Sequence, residues 1–128
     1  MRNKYLLLFL LVITGSNTLF AQRKIKVAAI GDSVTEGAGL KAGESYPAVL
    51  QDLLGERYEV GNFGHSGATL LRKGHNPYSK TRKFSEAVAF RGDIAVIHLG
   101  LNDTDPRNFP HYRDHFVQDY LRLVDTLK

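Results

Sequence analysis

With 128 residues, 43% of them apolar and 23% charged, the chain has material for a single domain around one hydrophobic core. Its 17 Lys and Arg against 13 Asp and Glu give a net charge of +4, and no basic stripe interleaved with aromatics accompanies it. That balance excludes nucleic acid as a partner. The absence of cysteine excludes disulfides, thiolate chemistry and a cysteine-anchored lipid.

The first 21 residues read as a secretory signal peptide. Met1-Arg2-Asn3-Lys4 is positive, Tyr5 to Ile13 is almost wholly apolar, and Thr14-Gly15-Ser16-Asn17 breaks the run. Leu19-Phe20-Ala21 then offers a small residue at a cleavage point. The apolar core is too short to span a bilayer comfortably, so cleavage near Gln22 is expected rather than stable membrane insertion. The mature protein is then secreted or periplasmic.

Next come three apolar runs separated by helix-like stretches. Residues 25–30 are continuously apolar apart from Lys26 and stop at Gly31-Asp32-Ser33. Residues 46–55 predict a helix, with Pro47 in the first turn, Val49, Leu50, Leu53 and Leu54 on one face, and Gly55 as the stop. Residues 58–63 form a weaker strand, resting on Val60 and Phe63. A second helix is expected over 81–90, with Phe84 and Val88 on one side, before Gly92-Asp93 turns the chain. The run 94–99 is apolar enough for a strand covered on both faces. Residues 112–128 close the pattern with Phe116, Tyr120, Leu123, Val124 and Leu127 at helical spacing.

The order βαβαβα predicts an α/β fold with a parallel sheet and helices on both faces. Two longer loops, 64–80 and 100–111, follow strand ends, the edge on which open α/β sheets meet their ligands. Parallel pairing brings Gly31-Asp32-Ser33, Ser66-Gly67-Ala68-Thr69 and Gly100-Leu101-Asn102-Asp103 to that one edge. Acyl transfer there needs a hydroxyl nucleophile and donors aimed at a developing oxyanion. Ser33 offers the hydroxyl and its own N–H, Gly67 an unobstructed N–H, and Asn102 an amide.

Other residues invite rival readings. Ser66 falls one residue short of a Gly-x-Ser-x-Gly elbow, which also requires a helix directly after the serine. Asp32 suits bonding to its own loop. Together with His65 and Asp103 it is also placed on the substrate side of the site. His65 and His98 lie near enough to serve a serine but read better as pocket or packing residues. His111 and His115, four apart, lack a third metal ligand at a recognised spacing, so no metal is expected. Arg72, Lys73, Arg82 and Lys83 flank the second loop as a positive ring that could draw an anionic sugar. A nucleotide-binding module is a poor fit, because Gly37-Ala38-Gly39 does not meet the Gly-x-Gly-x-x-Gly spacing. A non-catalytic carbohydrate-binding module remains as the non-enzymatic alternative.

The three blocks resemble those of the GDSL or SGNH hydrolases, serine esterases and lipases with a three-layer α/β/α flavodoxin-like fold. The resemblance gives Ser33 the role of nucleophile and makes Gly67 and Asn102 oxyanion-hole donors, with no cofactor. The wider runs Asn62–Thr69 and His98–Arg107 are most similar to secreted bacterial carbohydrate esterases of the sialate O-acetylesterase type. This implies a carboxylic ester hydrolase acting on a small-molecule or glycan ester. The family's Asp-x-x-His block, which carries the base and its orienting acid, has no match in the sequence. Residues 22–128 are therefore expected to be the N-terminal portion of the hydrolase domain, dependent on a remaining C-terminal part and nearly inactive alone.

Overall fold

The computed structural model describes residues 22–128, and the expected signal peptide lies outside them. Residues 25–31 form β1, 58–64 form β2 and 94–98 form β3, all parallel and ordered β2-β1-β3. This is the strand order of a flavodoxin-like sheet. β1 is central because it alone carries four successive residues, Val27 to Ile30, that can be buried on both faces. Its register pairs Ile30 with Phe63 and Ile97, and Gly31 with Gly64 and His98. All three strands consequently end at one level.

Helices layer the sheet on both sides. Residues 33–36 form the short α1 and Tyr46–Leu54 form α2, both packed on one face. Arg82–Phe90 form α3, whose start is fixed by Thr81 Oγ1 accepting from the Phe84 N–H at 3.1 Å. Phe116–Leu127 form α4. α3 and α4 cover the other face, where Phe84, Phe90, Phe116 and Leu127 pack on Ala28, Ile30, Phe63, Leu70, Tyr78 and Leu123. The fold is thus a three-layer α/β/α arrangement. The final helix begins four residues later than its periodicity predicts. The His115 N–H instead bonds the Tyr112 carbonyl at 2.9 Å, closing a tighter 3₁₀ turn ahead of it.

β3 departs from the expectation of cover on both faces. Ile94 is 47% exposed and Val96 37%. β3 lies at the end of the strand order, and α2 packs chiefly against β2. Val96 instead lines an open apolar groove with Val34, Leu40, Val49, Leu50 and Leu53.

At the strand ends the packing is backbone against backbone. A Cβ at Gly64 would run into the backbone nitrogen of Glu36. One at Gly31 would strike Thr35 Oγ1 and come within 2.6 Å of the His98 carbonyl oxygen. Both positions need glycine because α1 rests directly on β1 and β2.

Candidate functional site

Ser33 opens α1 immediately after β1 and is half-buried. Asp32 before it is fully buried, and its Oδ1 accepts from the Val34 N–H at 3.0 Å. This local bond is the helix-capping role that a short carboxylate favours at such a position. Asp32 therefore faces inward. Expected on the substrate side, its carboxylate is buried and bonded to its own loop.

The second block turns at Gly67. Its φ of +75° and the Ala68 N–H bond to the His65 carbonyl at 3.1 Å put Gly67 at the position of a tight turn that favours glycine. Glu36 holds the preceding residue, accepting from both the Ser66 N–H at 2.9 Å and the Ser66 hydroxyl. No helix follows Ser66. The elbow geometry that a nucleophile there would need is absent. His65 is half-buried, and its N–H bonds the Gly31 carbonyl at 2.9 Å, lacing the end of β2 to the end of β1.

The third block supplies the link between the other two. Asn102 Nδ2 donates to the Ala68 carbonyl at 3.0 Å and faces Asp32 Oδ2 at 3.4 Å. One amide thus touches the residue before Ser33 and the residue after Gly67. Asp103 turns the opposite way and is 3% exposed, accepting from the Leu70 and Leu71 N–H groups at 2.8 and 2.7 Å. Both of its carboxylate oxygens, expected on the substrate side, accept from buried backbone.

One residue escapes sequence reasoning. Asn108, fully buried, donates to the Asn102 carbonyl at 2.9 Å and accepts from the His75 N–H at 2.9 Å. Only its place in a polar loop marked it, and polarity alone does not reveal a partner 33 residues away. His98, read from the sequence as a pocket or packing residue, is half exposed, and its Nδ1 lies 3.6 Å from Asp32 Oδ1.

Two of the four cations flanking the second loop pair with a carboxylate. Arg82 and Lys83 lie on α3 and pair with Glu86 at 2.9 and 3.3 Å. Arg72 stands beside Asp119 and Arg122, lining a small pocket against α4. Arg107 forms a two-pronged pair with Asp105, which holds that carboxyl well below the usual carboxylate range. His111 and His115 stand outside any cluster, and among the described residues no group of three or more His, Asp or Glu could hold a metal ion.

The chain belongs to the GDSL-like lipase/acylhydrolase family, which matches it over residues 29–128. It is 43% identical over 106 residues to an acetylxylan esterase of Xylanibacter ruminicola, an alignment covering 81% of this chain. The same alignment spans only 22% of that relative's length. Among solved structures, the SGNH-hydrolase family esterase AlinE4 superposes with a TM-score of 0.48 at 21% identity, over 82% of this chain and 73% of that one. A point variant of AlinE4 gives the same score at 20% identity, over the same shares of both chains.

Proposed function

We propose that residues 22–128 carry the nucleophile and the oxyanion hole of a serine esterase that removes acetyl or other short acyl groups from carbohydrates. The observation behind this reading is the Asn102 amide, which bridges the Ser33 and Gly67 blocks. Ser33 Oγ attacks the ester carbonyl carbon, and the carbonyl oxygen becomes an oxyanion. The N–H groups of Ser33 and Gly67 and the Asn102 amide receive that charge, Asn102 exchanging one of its present acceptors for it. Collapse of the intermediate expels the sugar hydroxyl and leaves an acyl-serine. Water then hydrolyses the acyl-serine, regenerating Ser33. A base outside residues 22–128, at the place where the family resemblance puts an Asp-x-x-His block, takes the proton from Ser33 and returns it to the departing sugar oxygen. On this reading residues 22–128 are the N-terminal portion of the hydrolase domain, exported by the segment 1–21 and working in the periplasm or outside the cell.

Within this class, an acetylated neutral polysaccharide is preferred to an O-acetyl sialic acid. The relative named above acts, by its name, on acetylxylan. Of the cations that would attract a sialate carboxylate, Arg82 and Lys83 are engaged by Glu86.

The test uses the natural full-length protein. A serine-directed organophosphate should label Ser33, and Ser33→Ala should lower kcat on an acetyl ester by at least about 10³-fold. Labelling of Ser66 instead, or activity surviving S33A, defeats the reading. Release of acetate from acetylated xylan should exceed that from O-acetyl sialic acid, and the reverse order would restore the sialate specificity.

A further inference from the structure

We infer that Asp103 and Asn108 are positioning residues that aim the two oxyanion donors outside the nucleophile's own turn. This rests on the roles proposed above for Gly67 and Asn102. The segment from Ser66 to Pro77 carries Gly67 and satisfies only part of its own backbone, through the Thr69 N–H to Asn76 carbonyl and Gly74 N–H to Leu71 carbonyl bonds. Buried N–H and C=O groups require partners, so something else must hold it.

Glu36 takes the Ser66 N–H, and several of the remaining partners come from residues 102–108. Asn102 donates to the Ala68 carbonyl, Asp103 accepts from the Leu70 and Leu71 N–H groups, and Asn108 accepts from the His75 N–H. Asp119 on α4 adds the Arg72 N–H at 2.9 Å. Asn108 also donates to the carbonyl of Asn102, bracing that residue from behind. No buried polar side-chain atom among the described residues is left without a partner.

The geometry is that of a two-point grip. Adjacent residues 102 and 103 seize the backbone at 68 and at 70–71. The second loop therefore cannot pivot about one contact without breaking the other. Oxyanion donors work only within a fraction of an ångström of their productive placement, and a displacement near 1 Å can cost about 10²-fold in rate. Asp103 suits the task because a carboxylate accepts through both oxygens. An asparagine at 103 would keep the shape but turn an NH₂ donor toward one of the two N–H groups.

Asp119 provides the control. It is likewise buried and likewise holds a backbone N–H of the loop, but Arg72 lies beyond the grip and α4 carries no donor. In the natural full-length protein, Asp103→Asn should lower kcat on a small acetyl ester about 10- to 100-fold, with KM changed less than about twofold. Asp119→Asn should leave kcat within about twofold while losing comparable thermal stability. Amide hydrogen exchange should quicken at Gly67, Leu70 and Leu71 in D103N, and only around Arg72 in D119N.

An unchanged kcat in D103N, or parallel losses of kcat in both variants, overturns the inference. If D103N does not fold, Asn108→Ser is read instead. It should show lowered kcat with faster exchange at His75 and Gly67, and wild-type values for both would overturn the role. Because exchange needs no turnover, a protein that fails to label at Ser33 would defeat the proposed function and leave the grip to be judged on its own readout.

Discussion

The strand-end region and the open face of β3 are built from the same sheet and differ in what surrounds them. At the strand ends, α1 sits on Gly31 and Gly64 with no room for a methyl group. Asn102, Asp103 and Asn108 engage loop backbone on every side. On the far side of β3, Ile94 and Val96 remain open to solvent beside Leu53, which is 79% exposed. Apolar content does not separate the two regions, since the second is the richer. Their difference shows that position in this fold is held by short polar side chains and by the absence of Cβ atoms. Hydrophobic mass contributes cohesion, which a groove lined by Val34, Leu40 and Val96 has not fully used.

Three substitutions probe that contrast. The largest effect is expected for Gly64→Ala, because the added carbon meets backbone rather than a flexible side chain. A loss of about 3 kcal/mol in urea unfolding is predicted, at the upper end of the usual cost of overpacking. Stability near that of the wild type would mean that α1 is free to lift from the strands.

Tyr78→Phe comes next. The Tyr78 hydroxyl is buried and donates to the Phe63 carbonyl at 2.6 Å, so its loss should cost about 1–2 kcal/mol. Burial also raises the Tyr78 pKa above its ordinary value of 10.0. The folded state thus favours the neutral phenol. That share of stability is complete below pH 10.0 and is lost as pH climbs from there toward the raised folded value. Stability measured against pH should fall less steeply on the alkaline side in Y78F, and an unchanged slope would refute the assignment.

The smallest effect is expected on the open face. Val96→Lys should alter stability by less than about 1 kcal/mol, as surface substitutions do, while reducing the binding of an apolar dye to the chain. A loss above about 2 kcal/mol would show that this face is covered in the working molecule.

Much of the architecture was readable in advance because it depends on local periodicity. The runs 25–30 and 94–99 and the stripes of 46–55 and 81–90 gave the parallel α/β order with boundaries within a residue or so. Val27 to Ile30 advertise a central strand directly. The side chains of Asp32 and Asp103 were harder. Both belong to motifs near the candidate chemistry, yet both turn inward, because backbone N–H groups at the strand ends compete for carboxylates more strongly than solvent does. Asn108 was invisible for a related reason: its partners, Asn102 and His75, are set by how two loops meet and leave no period in the chain. Val96 shows that an edge strand and a covered strand can be spelled alike.

The glycine contacts under α1 carry one more implication. With Thr35 against Gly31 and Glu36 against Gly64, the turn bearing Ser33 has the sheet itself as its reference frame. A change in the twist between β1 and β2 would tilt that turn as a rigid unit, carrying the serine with it. Repacking beneath the sheet, at Ile30 or Phe63, would then register as a shift in the position of Ser33.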